Sequence, residues 1–226
     1  MWENVKLSMK ISILSTDAKH PVNSYLKKWQ LQMSELGHEV DLFHDKNRLE
    51  KGDILFLVSC SQVIPSEIRN NFQKTLVLHA SDLPLGRGWS PHVWEILKGN
   101  NKITVSLLEA EDAVDTGAIW FKKRFQLEGH ELLPEINNKL FMVEIELMSD
   151  AVHDFGNIQI MSQGKAKGQY FRKRNPDDSR LDPHKTIAEQ FELIRVSDSE
   201  RYPTFFDYLG HRYILKVEKQ STNNEN

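Results

Sequence analysis

Met9-Lys10-Ile11-Ser12-Ile13-Leu14 places apolar residues at every second position, Met9, Ile11 and Ile13, which is the period of a half-buried strand. After Pro21 the period changes. Val22, Tyr25, Leu26, Trp29, Met33 and Leu36 recur at helical spacing, and Gly37 is placed to stop the helix they predict. The same strand-then-helix grammar continues downstream, with further strands predicted at Val40 to Phe43, Ile54 to Val58, Thr75 to His79 and Ile103 to Leu108. Such alternation gives an α/β fold, a Rossmann-like, mostly parallel sheet with flanking helices and right-handed crossovers. Ligands of such sheets gather beyond the carboxyl ends of the strands, and His79 lies at one of those ends.

From about Phe125 the pattern turns helical through Leu133, Ile136, Leu140, Val143, Leu147 and Ala151, closing at Gly156. A polar, basic segment from Gln163 to Lys185 follows, then a helix from Thr186 to Arg195, then Thr204 to Val217 with Gly210 as a hairpin turn. The expected organisation is therefore a sheet domain over 9–125 and a smaller helical and β-hairpin C-terminal region over 126–219.

The 226 residues are 39% apolar and 27% charged with a formal net charge of -3, a globular and not a disordered composition. That balance supplies no overall cationic field, so neither nucleic acid nor a membrane is an expected partner. Cys60 closes the apolar run Ile54-Leu55-Phe56-Leu57-Val58-Ser59-Cys60 and reads as a small buried hydrophobe in a reducing compartment. This run falls well short of the roughly 20 residues that span a bilayer. The start, Met1-Trp2-Glu3-Asn4-Val5-Lys6, has neither the apolar region of a secretory signal nor the Arg-rich character of a transit peptide, so the expected location is the cytoplasm.

Several chemistries lose ground on sequence alone. The turn after the first strand, Ser15-Thr16-Asp17-Ala18-Lys19-His20-Pro21, lacks the glycines that let a backbone approach a pyrophosphate, and no phosphate-cradling Gly-rich loop with Lys occurs elsewhere. Nine histidines are scattered, and His79 and His92 do not have the spacing of a helical metal pair, so no metal site is expected. His20, His38, His44 and His130 read as surface or capping residues.

His79 stands out for its surroundings. Leu76-Val77-Leu78-His79-Ala80-Ser81-Asp82-Leu83-Pro84 leads into Gly86-Arg87-Gly88-Trp89-Ser90-Pro91, where Ser90 and Pro91 look like the N-cap and first position of a helix. Asp115 follows 36 residues later in Glu111-Asp112-Ala113-Val114-Asp115-Thr116-Gly117, directly after another strand. These two segments, in this order and at this separation, resemble the folate-dependent formyltransferase superfamily, which carries His-x-Ser-x-Leu-Pro after one strand and Asp-x-Gly after the next. The stretch Arg172-Lys173-Arg174-Asn175-Pro176-Asp177-Asp178-Ser179, continuing to Arg195, Tyr202-Pro203 and Phe205, is similar to the tail of formyltransferases acting on nucleotide-linked amino sugars. Gly86 to Trp94 is similar to the branch that makes nonulosonic sugars such as pseudaminic acid.

The resemblance implies transfer of a formyl group from 10-formyltetrahydrofolate to the amine of a nucleotide-linked amino sugar. Other acceptors, methionyl-tRNA or glycinamide ribonucleotide, and an inactive formyltransferase-like binding protein are the alternatives. The tRNA enzymes carry a further basic C-terminal domain, which this chain looks too short to hold. His79 and Asp115 are the implied catalytic residues. A carboxylate beside an imidazole orients it, so His79 can donate to a developing oxyanion while Asp115 manages the amine proton. The implied cofactor-binding residues are Ser61, Gln62, Val63 and Ile64 in one loop and Ala110, Glu111, Asp112 and Val114 in the other. Apart from the resemblance, Ser61 to Pro65 reads equally as a strand-to-helix connection. Arg87, Arg172, Lys173 and Arg174 are candidates for the acceptor's phosphates, and a solvated charged loop is the alternative for each. The C-terminal region is expected to complete the acceptor site, and Ser106 to support His79 or a water. Asp177 and Asp178 read as turn residues and not as a paired acid and base. The chain departs from the family pattern at Val77, where most members have an Asn that binds the formyl oxygen.

Overall fold

Alternation of apolar residues drives the sheet, and a computed structural model describes it over residues 8–164 and 168–220. The Met1 to Lys6 start, three residues of the basic 163–185 segment and the Asn-rich end lie outside the described residues. In chain order the elements are β1 (Lys10–Leu14), α1 (Asn23–Glu35), β2 (Glu39–Phe43), β3 (Gly52–Leu57), α2 (Ser66–Arg69), β4 (Phe72–His79), β5 (Arg87–Gly88), α3 (Pro91–Leu97), β6 (Lys102–Glu109) and β7 (Ile119–Gln126). They continue with α4 (Leu133–His153), β8 (Tyr170–Phe171), α5 (Phe191–Arg195), β9 (Thr204–Tyr208) and β10 (His211–Leu215).

Six strands form the main sheet in the order β2-β1-β3-β4-β6-β7. The first four run parallel; β6 pairs antiparallel with β4, and β7 antiparallel with β6. Because side chains alternate between faces, Ile11, Ile13, Ile54, Phe56 and Leu76 point to one side. There α1 and α4 cover them with Leu26, Trp29, Leu140, Leu147 and Met148. Leu14, Leu55, Leu57 and Phe72 form a smaller cluster with Ile64. Trp29 is fully buried, its ring edge-on to Phe56 and its indole N–H donating to Ser149 Oγ of α4 at 2.9 Å. That bond satisfies the indole donor, which would otherwise be buried without a partner. The long helix α4 thus packs directly on the sheet and on α1, and Glu135 accepts from the Leu132 amide at 2.8 Å to close its first turn.

The sequence reading needs four corrections here. β7 went unread because its middle, Lys122-Lys123-Arg124, lies on an edge strand whose outward positions carry charge, which hides the alternation. The helix expected from Thr186 begins instead as a turn, passes through a short 3-10 segment at Ala188–Gln190 and is α-helical only over α5. Gln190 is drawn aside, its side-chain oxygen accepting from the Asp182 amide at 2.6 Å and its side-chain nitrogen donating to the Asp182 carbonyl at 3.0 Å. Cys60 is only half-buried; it lies beyond the end of β3, with its thiol 3.4 Å from the Gln62 carbonyl. His38, expected at the surface, is buried, and its Nδ1 accepts from the Met9 amide at 3.2 Å. The hairpin of β9 and β10 does turn at Leu209-Gly210, both residues having positive φ.

Candidate functional site

His79 is the last residue of β4, at the carboxyl edge of the parallel strands, and lies opposite Ser106 on β6. The chain then loops through residues 80–86 and returns as β5. The Ser106 hydroxyl donates to the Ser81 carbonyl at 2.7 Å, which fixes the start of that loop; it makes no hydrogen bond to His79. Nε2 of His79 lies 2.9 Å from the Gly86 carbonyl, and because a carbonyl only accepts, Nε2 carries a proton. On the other side of the ring, Nδ1 faces Asp115 Oδ1 at 3.4 Å, and both side chains are nearly excluded from solvent.

Asp115 reaches this position from the turn between β6 and β7. Its φ is +59°, a left-handed conformation that Asp tolerates better than most residues. Its second carboxylate oxygen accepts from the Gly88 amide at 2.9 Å. Glycine is required at 88, where a Cβ would collide with the Phe171 carbonyl of β8, and at 117, where it would collide with the Glu109 carbonyl. The 86–88 segment therefore grips both partners of the pair, by a carbonyl at His79 and by an amide at Asp115. An imidazole and a carboxylate so arranged form an ion pair when the ring holds both protons, and the pair can donate or accept one proton at a reacting centre.

His92, on the first turn of α3, belongs to the same neighbourhood. Burial holds its imidazole down at about 4, the charges of His79 and His20 adding to the effect, and its Nδ1 is buried without a hydrogen bond. Pro91 does open α3, but Ser90 has φ +46° and makes no capping bond with its side chain.

The two loops proposed to hold a cofactor meet on one apolar cluster, with Ile64 buried in it and Ala110 packed against it. Ser61 is exposed and tied to Thr16, its amide donating to Thr16 Oγ1 at 3.0 Å. Gln62, Val63 and, on the other loop, Glu111, Asp112 and Val114 are exposed. Ala110 already has both backbone groups engaged, its amide with the Thr75 carbonyl at 2.8 Å and its carbonyl with Arg69 at 2.6 Å. Arg69 also pairs with Asp112. Val77 is half-buried and packs against Leu83, Leu108 and Ile119.

Of the four basic candidates, two are already engaged by the protein. Arg172 pairs with Asp178 and lies over the Trp94 ring at 5.0 Å, while Arg174 is half-buried and donates to Ser179 Oγ at 3.0 Å. Lys173 is exposed above the Trp89 ring at 5.0 Å. Arg87 is half-buried on β5, and its Nε has no hydrogen-bond partner. The aspartates Asp177 and Asp178 lie in a 3-10 turn capped by Asn175, as turn residues should.

Sequence reasoning missed the amide of Gly88, the carbonyl of Gly86 and the side chain of Gln163, which bonds to the Asp115 loop. The first two act through the backbone, which the sequence shows only as glycine; Gln163 had no signal.

Comparison with known families matches residues 10–152 to the family described as "Formyl transferase", which is more than half of the chain. The chain belongs to the formyl transferase family. Among relatives, the methionyl-tRNA formyltransferase of Lachnospira eligens is 25% identical over 180 residues, 78% of this chain and 56% of that protein. The formyltransferase chain described here thus spans about half the length of that relative. The structure of HypX from Aquifex aeolicus in complex with tetrahydrofolic acid shares the fold with a TM-score of 0.75, 23% identity and coverage of 91% of this chain and 37% of that one. A sugar N-formyltransferase from Shewanella sp FDAARGOS_354 superposes with a TM-score of 0.70 and 18% identity over 94% of this chain and 98% of that chain.

Proposed function

We propose that this protein transfers a formyl group from 10-formyltetrahydrofolate to the amine of a nucleotide-linked amino sugar, in the cytoplasm and in the service of surface-glycan synthesis of the pseudaminic acid type. The observation that carries the reading is the buried His79–Asp115 pair at the carboxyl edge of the sheet, with the half-buried Arg87 one residue from the amide that holds Asp115. The pair supplies the proton chemistry and Arg87 a cation for a phosphate.

The loops 61–64 and 110–114 fit a flat heterocycle with an amide-like edge, since Val63 and Val114 expose apolar surface there and both loops rest on the Ile64 cluster. Ser61, Gln62, Val63 and Ile64 would hold the donor from one side and Glu111, Asp112 and Val114 from the other. Ala110 shapes that loop, its own backbone groups being engaged. The donor, when bound, supplies the formyl carbon. His79 is assigned to a developing oxyanion, which requires its Nε2 proton to leave the Gly86 carbonyl, and Asp115 to the amine proton, directly or through water. Lys173 above Trp89 offers a second cation on an aromatic base for the acceptor, and the C-terminal region that carries it completes the acceptor site.

A methionyl-tRNA acceptor is the second reading, favoured by the sequence relatives, which act on that tRNA. The deciding assay offers the protein 10-formyltetrahydrofolate with a panel of UDP-, dTDP- and CMP-linked amino sugars and, separately, methionyl-tRNA. A formyl mass increment on a nucleotide sugar is the expected result; an increment on the tRNA alone would replace the sugar reading.

A further inference from the structure

We infer that Gln163 is a positioning residue for Asp115, an inference that rests on the catalytic reading of the His79–Asp115 pair. Its Nε2 donates to the Asp115 carbonyl at 3.0 Å and to the Gly117 carbonyl at 2.7 Å. Both acceptors are carbonyls, so the nitrogen face of the amide is the only one that satisfies them, and both of its protons are committed.

Two features make this more than a surface contact. Asp115 is held in a left-handed conformation, and such a residue persists only where its surroundings fix it. The segment that carries Gln163 is itself anchored, because Met161 and Ile119 exchange amide–carbonyl bonds of 2.8 Å in each direction at the start of β7. Asp115 is thereby held from two sides, its carboxylate by the Gly88 amide and its backbone by Gln163. The same C-terminal strap continues into β8, which pairs with β5. Removing the Gln163 amide frees the Asp115 backbone to rotate, and the carboxylate then spends less time facing His79 Nδ1.

Gln163→Met keeps the length of the side chain without its donors, and Gln163→Glu turns an acceptor toward two carbonyls. Turnover is measured as tetrahydrofolate release from 10-formyltetrahydrofolate with hydroxylamine as the amine, alongside thermal melts and the ring 15N resonances of His79. Two lost hydrogen bonds correspond to about a tenfold fall in kcat. The expected outcome for Gln163→Met is that fall with KM for the folate within about threefold. The His79 resonances should move in the direction that Asp115→Asn moves them, and Gln163→Glu should fall further. The inference is overturned if Asp115→Asn loses turnover while Gln163→Met keeps kcat within about twofold and leaves the His79 resonances unmoved. It is overturned as well if neither Gln163 variant folds, since Gln163 would then be a structural residue. If Asp115→Asn itself turns over like the parent, the catalytic reading of the pair falls, and this inference with it.

Discussion

Val77, where the family resemblance implies an amide side chain in most members, is an aliphatic residue packed against Leu83, Leu108 and Ile119. It cannot donate a hydrogen bond, so the proposed mechanism assigns oxyanion stabilisation to His79 and backbone amides. Loss of one oxyanion donor lowers rates by roughly a hundred- to thousandfold. His79→Ala is therefore expected to reduce turnover by about a hundredfold or more, and Val77→Ala to leave it within about tenfold, with a thermal melt run on each because a truncated valine leaves a cavity. A folded His79→Ala protein at parent turnover would remove His79 from the mechanism. Arg87 makes a different prediction: on the proposed reading its guanidinium serves acceptor binding alone, so Arg87→Ala should raise KM for a nucleotide-linked acceptor about tenfold and leave KM for the folate unchanged. An unchanged acceptor KM would return Arg87 to the reading of a solvated loop charge. His79 and Asp115 were legible as candidates because both are titratable side chains in recognisable segments, one at the end of β4 and the other in the turn between β6 and β7. Their supports were not, since Gly86 and Gly88 act through backbone groups and Gln163 through a contact 48 residues from its partner in sequence.

Among the elements, α4 carries the least expected residue. Glu144 lies on the buried side of the helix, its Oε2 has no hydrogen-bond partner, and burial pushes its carboxyl up to about 8. In the folded protein it therefore keeps a proton that the unfolded chain releases near 4.5. Folding binds that proton, so this group's contribution to stability falls as pH rises from about 4.5 to about 8 and is constant outside that window. Glu144→Gln removes the titration while keeping the shape. The difference in thermal midpoint between Glu144→Gln and parent should be small near pH 5 and grow in favour of the variant toward pH 8, to on the order of a few kcal/mol of stability. A difference that stays flat across that range would mean Glu144 is solvated and ordinary. The helix itself was legible because its apolar residues keep the 3.6 period over six turns, a long signal that one buried acid does not break. β7 was illegible for the opposite reason, since a charged edge strand offers too few periodic positions to separate from a loop, while the helix ending at Arg195 was legible but its start was not, because Gln190 is drawn aside to Asp182.

At the scale of the whole molecule, what matters is whether the region beyond residue 126 folds separately from the sheet or with it. Many ties cross that boundary, among them the Trp29–Ser149, Ile119–Met161 and Gln163–Asp115 bonds already described. α4 packs on the sheet, β8 pairs with β5, and the Trp94 indole donates to the Arg172 carbonyl at 3.1 Å. Another is Arg195 of α5, which is fully buried and crosses to Asn101 Oδ1 at 2.6 Å, while also meeting Glu192 at 2.6 Å and Glu131 at 3.8 Å on its own side. Glu131 is buried as well. Burial would raise its carboxyl, but Lys139 and the amides of Glu128 and Gly129 hold it down at about 2. A buried charge of this kind depends on its partners, and deleting one of them leaves the others desolvated and unpaired, at a typical loss of about 3–5 kcal/mol. Truncation of Arg195 also opens a cavity between α5 and the body. Since the ties join both regions, the protein should unfold in a single transition, and Arg195→Ala should move that transition down by about 10 °C without splitting it, the shift expected for a loss of this size in a chain of about this length. Two resolved transitions in the parent would mean that the C-terminal region is a separate folding unit. A single transition in the parent that splits in Arg195→Ala would show that this one guanidinium couples the two regions, the remaining ties being too weak to do so.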